Sequence, residues 1–160
     1  MLIFAVRLIV EEKGKMLFLR QTKKNGGRFS LIGGNVEENE FAREALAREA
    51  QEEAGIHVEP VDLQMVHVLH RHKLKKDETL LVLYFRAQRF HGEPASLEPK
   101  KFKDAQWLPV DNLPEEVSKA TRHVLQRIRS GEIYSEFPAR SKVLAFWEQF
   151  GDRWAGFSDF

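Results

Sequence analysis

Gly34-Asn-Val-Glu-Glu-Asn-Glu40-Phe-Ala-Arg-Glu-Ala-Leu-Ala-Arg48-Glu49-Ala50-Gln-Glu52-Glu53-Ala-Gly55-Ile56 is the stretch that decides the fold. Residues 40 to 54 contain no Pro or Gly, and Ala recurs at 42, 45, 47, 50 and 54, so the spacing predicts a helix. Asn39 is the expected N-cap, and Glu40 falls in the first turn, where an acid suits the helix dipole. Gly55 supplies the stop expected just past a helix C-terminus. At 100° per residue Ala42, Leu46, Ala50 and Ala54 make one apolar stripe, which must be buried. Glu49 and Glu53 fall at an edge of that stripe, and Glu52 lies further toward solvent.

Like charges four residues apart destabilise an exposed helix by roughly 0.2–0.5 kcal/mol. Partial burial beside the stripe adds to the cost, because desolvation disfavours ionised carboxylates. A bound divalent cation removes both penalties, and hard oxygen donors select Mg²⁺ or Mn²⁺. Arg48 lies eight residues after Glu40 and four before Glu52, within reach of either. It is read as a clamp that orients carboxylates, not as a catalytic group. Gly33-Gly34, just before the helix, allow a tight turn and close backbone approach to a phosphate or metal. A solvated, Glu-rich helix is the plain alternative for any one of these acids. The coincidence of seven fixed positions argues against it for the set.

These positions match Gly-x5-Glu-x7-Arg-Glu-U-x-Glu-Glu-x-Gly-U (U aliphatic), with only Ala50 smaller than usual, and on them the chain resembles the Nudix hydrolases. The likeness covers roughly residues 2–130. It implies an α/β fold, an α/β/α sandwich with a mixed β-sheet, in which the box forms a loop-helix-loop. It also implies divalent-metal-dependent attack of water on a diphosphate that links a nucleoside to another group, X. Carried over by position, Glu49, Glu52 and Glu53 hold the metal, with the Gly33 carbonyl as a further ligand, and Glu40 and Arg48 support the helix. Members of the family often add a Glu from a later loop as ligand or general base. Gly92-Glu93-Pro94-Ala95-Ser96-Leu97-Glu98 resembles that arrangement, which makes Glu98 the candidate and Glu93 the substitute. Arg20, with Gly33 and Gly34, is the candidate contact for the substrate diphosphate.

The resemblance also bears on substrate. Many MutT-like members carry Pro before the paired glycines, where this chain has Leu31-Ile32. ADP-ribose hydrolases tend to place Pro about sixteen residues past the box, where His72 stands, and dinucleoside polyphosphate hydrolases tend to place Tyr nearby. Tags of the NADH and coenzyme A branches are absent. The implied activity is a MutT-like nucleoside triphosphate pyrophosphohydrolase that releases a monophosphate and pyrophosphate. A nucleotide-sugar or dinucleotide pyrophosphatase is the alternative. A non-catalytic nucleotide-binding module is a second, against which the intact carboxylates speak.

The rest of the chain is ordinary for one domain. It has 160 residues, 42% hydrophobic and 31% charged, with net charge +1. That charge gives no reason to expect a membrane partner or stable nucleic-acid binding; a nucleotide is the expected partner. There is no cysteine, so disulfides and thiolate metal sites are excluded and a reducing cytoplasm is the expected location. Arg7 interrupts the apolar opening, which lacks the features of a signal peptide. No apolar run approaches the roughly 18 residues of a membrane span.

Strands are expected at 2–10, 16–21, 57–70 (or a bent pair there), 79–90 and 105–110, and a second helix near 115–130 with Val117, Ala120, Val124, Leu125 and Ile128 inward. The Nudix-like domain is assigned to 1–135. Residues 136–160 form an aromatic-rich tail that either packs on the domain or makes a homodimer contact or pocket wall, with Val143, Phe146, Trp147 and Phe150 on one helix face. His67, His70 and His72 cluster at a strand end. His70 and His72 can pair on one face but lack further ligands for zinc; they either contact a base or phosphate at a pocket rim or have a plain surface role. Lys100, Lys101 and Lys103 either draw in an anion or form a solvated basic loop.

Overall fold

The computed structural model describes residues 1–150. In chain order the elements are β1 (Leu2–Ile9), β2 (Glu11–Glu12), β3 (Lys15–Gln21), β4 (Phe29–Ser30), α1 (Ala42–Ala54), β5 (Leu63–Lys73), β6 (Glu78–Ala87), β7 (Phe102–Pro109), α2 (Lys119–Arg129), β8 (Tyr134–Phe137) and α3 (Arg140–Phe150). One mixed sheet runs β1-β6-β5-β8: β1 is parallel to β6, β6 antiparallel to β5, and β5 parallel to β8. In the other, β3 pairs antiparallel with β2, β4 and β7.

The strands alternate, so each serves two cores. Val6, Leu8, Val10, Leu17 and Leu19 face α1, joined by Leu46, Ala50, Ala54 and Phe85. Ala5, Ile9, Met16 and Phe18 face the α2 side, with Leu69, Val82, Tyr84 and Val124. The α/β/α sandwich is thus built by side-chain parity. Ala45, Ala50 and Ala54 let α1 approach the sheet closely, and full burial of Leu46 contributes roughly 2 kcal/mol.

Two local expectations are corrected. Helix α1 begins at Ala42, and Asn39 is not its cap; Asn39 adopts a left-handed φ of 62°. The Glu40 carboxylate takes the Glu37 N–H at 3.0 Å, and that of Glu44 takes the Phe41 N–H at 2.8 Å. Two acids therefore divide the start of the helix, and residues 37–40 form a turn. The strand expected from 57 begins at Leu63, because a short 3₁₀ turn at Pro60–Asp62 intervenes.

Strand β8 was not foreseen. It is held to β5 by His67, fully buried, whose Nδ1 lies 2.8 Å from the Glu132 carbonyl and Nε2 2.7 Å from Ser135 Oγ. Helix α3 forms where the aromatic tail predicted one, with Val143 buried and Phe146 against Trp147 edge-on at 5.3 Å. Trp154, Phe157 and Phe160 lie outside the described residues. Among the described residues no helix is long and apolar enough to cross a membrane.

Candidate active site

The glycine turn is stitched to β1: the Val6 N–H bonds the Gly34 carbonyl and the Leu8 N–H the Ile32 carbonyl, both at 2.9 Å. Gly33 has φ +148°, and a Cβ there would run into the Val6 carbonyl oxygen and come within 3.0 Å of the Arg7 Cα. Gly34 is constrained by chemistry instead: a Cβ would occupy the space of the Glu49 carboxylate. Only glycine at both places lets the turn lie between β1 and the helix acids.

Glu53 is buried within the helix-sheet interface, deeper than the stripe-edge position expected for it. Its Oε2 accepts the Gly33 N–H at 3.0 Å, and its Oε1 accepts from Lys101 Nζ at 2.6 Å. Burial pushes the Glu53 carboxyl above the usual range; Lys101 and the Gly33 amide oppose this, and Glu49 adds to it. Glu49 is mostly covered and Glu52 half exposed. Arg48 joins the remaining acids, with Nε 2.8 Å from Glu40, and Nη1 3.1 Å from Glu49 and 3.2 Å from Glu52. The Arg48 guanidinium holds the Glu40 carboxyl below its ordinary range, against the effect of burial. Of the two acids within its reach along the sequence, Glu40 and Glu52, Arg48 bonds both.

Glu98 is carried to the same place by backbone. The Ala95 N–H bonds the Ala54 carbonyl at 3.1 Å and the Leu97 N–H the Glu53 carbonyl at 3.0 Å. The loop thus docks on the last turn of α1, at the Glu53 and Ala54 carbonyls, which lie past the reach of the helix's own amides. Lys101 Nζ lies 3.3 Å from Glu98, so one ammonium bridges Glu53 and Glu98. Burial works to lower the Lys101 pKa, but hydrogen bonding and attraction from Glu53 and Glu98 outweigh it and hold the group above the usual lysine range. Sequence placed Lys101 only in a basic loop with Lys100 and Lys103. Its three-residue spacing from Glu98 was the one available signal. Glu93 is exposed.

The other candidates have partners of their own. Arg20 pairs with Glu116 at 3.4 Å and stacks over Phe29 at 4.4 Å. His70 and His72 do pair, with ring centroids 5.0 Å apart, and His72 Nδ1 meets Thr79 Oγ1 at 3.0 Å.

Among the described residues no three acids or imidazoles already converge as a metal cage. The carboxylates are instead occupied by the cations Arg48 and Lys101. An all-oxygen donor set with a cation resting on its most buried member fits Mg²⁺, which uses few protein carboxylates and completes its shell with water and phosphate.

A mixed-sheet sandwich with an acid-rich helix behind a double-glycine turn defines the class. The NUDIX domain family model matches residues 1–128, and the chain belongs to the Nudix hydrolase family, whose members act on nucleoside diphosphate derivatives and generally use divalent cations. The chain is similar to the NAD-capped RNA hydrolase NudC of Stutzerimonas stutzeri (strain A1501), 29% identical over 110 residues, covering 67% of this chain and 36% of that protein. It is also similar to the oxidized purine nucleoside triphosphate hydrolase of Danio rerio, 27% identical over 107 residues, covering 67% of this chain and 65% of that one. The chain thus spans about a third of the one relative and just under two thirds of the other. Among solved structures, a MutT NUDIX hydrolase from Burkholderia pseudomallei superposes with TM-score 0.72 at 26% identity, covering 79% of this chain and 97% of that one.

Proposed function

We propose that this protein hydrolyses a nucleoside triphosphate at the α–β bridge, releasing a nucleoside monophosphate and pyrophosphate. The observation that carries the reading is the meeting of Glu53 and Glu98 on one ammonium beside Gly33, with Glu49 and Glu52 on the same helix. Glu49, Glu52, Glu53, Glu98 and the Gly33 carbonyl would hold Mg²⁺ or Mn²⁺. When bound, such an ion offsets phosphate charge and makes water a nucleophile at neutral pH. Arg48 holds Glu49 and Glu52 in place. Gly33 and Gly34 leave room for the diphosphate against backbone, and Arg20 supplies positive charge at the strand end. Glu98, where it does not ligate the metal, would take the proton of the attacking water. Similarity to oxidized purine nucleoside triphosphate hydrolases supports the triphosphate. A cytoplasmic location, a catalytic domain over 1–135 and a tail over 136–160 complete the proposal.

The similarity to NudC favours one second reading, in which X is a nucleotide and the substrate a dinucleotide. Incubation of purified protein with Mg²⁺ and a panel of triphosphates, nucleotide sugars and dinucleotides separates the two, because pyrophosphate is released only from triphosphates. Glu53→Gln is expected to lower kcat by about 10³-fold with an unchanged circular dichroism spectrum. Normal rates in that variant would refute the site.

A further inference from the structure

On the α2 side of the sheet, directly behind the glycine turn, lies a cavity of about 200 Å³ lined by Arg7, Arg28, Arg71, Lys73, Tyr84 and Ser30, among others. No Asp or Glu lines it. Lys73 is paired with Glu78 at 3.2 Å. Among the described residues Arg7, Arg28 and Arg71 form no ion pair with any carboxylate. They come from three separate segments: Arg7 from β1, Arg28 from the loop before β4, and Arg71 from β5. Burial pushes the Arg71 guanidinium below its usual range; Tyr84 opposes this, and Arg7 and Arg28 add to it.

Three like charges gathered in a partly desolvated cavity repel one another unless an anion joins them. The cavity also touches the proposed reaction site. The Arg7 guanidinium bonds the Val6 carbonyl at 2.7 Å, the same oxygen that bars a side chain at Gly33, and Leu31 lines the cavity two residues before that glycine. A substrate whose diphosphate lies at Gly33 therefore has this cavity for its next group.

We propose that the cavity bounded by Arg7, Arg28 and Arg71 receives a phosphate or carboxylate carried by the substrate beyond the diphosphate that is cleaved. The substrate class is thereby narrowed to nucleoside diphosphate derivatives with an additional anionic group. This rests on the hydrolase reading above. Guanidinium groups suit such an anion because their planar donors bind phosphate or carboxylate in pairs.

The test has two arms. Inorganic phosphate is titrated calorimetrically into the protein in EDTA, where no divalent ion can hold phosphate at Glu53. Saturable binding is expected, weakened about tenfold or more in Arg71→Met and in Arg28→Met. Arg28 lies on an exposed loop, so its variant carries the test if Arg71→Met fails to fold. In the second arm kcat/KM is compared with Mg²⁺ for pairs differing by one anionic group: NADPH against NADH, UDP-glucuronate against UDP-glucose, and GTP against GDP, which share the α–β bond. A preference of about tenfold for the charged member is expected, falling toward one in Arg28→Met. Preference in the first or third pair without the second marks a phosphate, and in the second alone a carboxylate. Phosphate binding that is absent, or unchanged from the native sequence in both variants, together with ratios near one, overturns the inference and leaves the hydrolase reading standing. Arginine-dependent phosphate binding without turnover of any substrate supports the anion site and counts against the hydrolase reading.

Discussion

The two sides of the glycine turn are opposite in charge and unequal in how that charge is balanced. On the α1 side, Glu40, Glu49, Glu52, Glu53 and Glu98 are all met by cations of the chain itself, Arg48 and Lys101. On the α2 side, Arg7, Arg28 and Arg71 share a cavity without an acid. The acidic side can thus wait for its metal at modest cost, because resident cations stand in for it. The basic side has no such stand-in, so a bound anion has more to gain there. One turn of backbone separates the two, and both depend on Gly33 lying flat against Val6 and Arg7.

The contrast is broken most severely at Gly34. Gly34→Ala places a methyl group where the Glu49 carboxylate lies, and kcat is expected to fall about 100-fold with Mg²⁺ while anion binding in EDTA is unchanged. Steady-state rates alongside phosphate titration check both halves. Loss of phosphate binding in this variant would show that the two sides are not separable.

Lys101→Met removes the stand-in cation. Glu53 is then buried with only the Gly33 amide, so the metal-free protein is expected to melt several degrees lower, while Mg²⁺ binds roughly severalfold more tightly for want of a competitor. Scanning calorimetry in EDTA and isothermal titration with Mg²⁺ measure the two effects. Weaker Mg²⁺ binding would make Lys101 a supporting group and not a competitor.

Acidity sharpens the same point. The Glu53 carboxyl is raised in the folded state, so the folded protein binds that proton more tightly than the unfolded chain does. In EDTA its contribution therefore opposes stability at neutral pH, and this opposition fades as pH falls through the raised value toward the ordinary 4.5. The melting temperature of the native sequence relative to Glu53→Gln is expected to improve over that window. A difference that is flat with pH would place Glu53 in a better-solvated setting.

At the seam of β5 and β8, Ser135→Ala removes the hydroxyl that meets His67 Nε2 and is expected to destabilise by about 1 kcal/mol with no change in rate. Urea denaturation measures the loss, and a change in kcat would tie β8 to the site.

What the chain discloses without a structure is mostly local. Helix α1, its Gly55 stop and the Arg48 clamp follow from periodicity over a few turns. The sheet strands follow from alternation. Glu98 was legible only through family likeness, since nothing local marks one loop acid above another. The start of α1 was misread because Asn39 is a good cap in isolation, whereas Glu40 and Glu44 compete for the backbone amides next to it. Strand β8 was missed because its parallel partner lies some 66 residues away, as in the pairing of Val68 with Tyr134. The arginine cavity was missed for the same reason: positions 7, 28 and 71 share no period and meet only once β1, β5 and β6 are assembled.

The amides of Ala95 and Leu97 are anchored on carbonyls at the end of α1. Loop and helix are therefore one opening unit: unwinding the last turn of the helix frees the loop, and lifting the loop takes two N–H donors from the helix carbonyls. Glu53 and Glu98 are thus lost or gained together. Partial fraying should leave the enzyme either whole or silent, with no half-assembled form that turns over slowly.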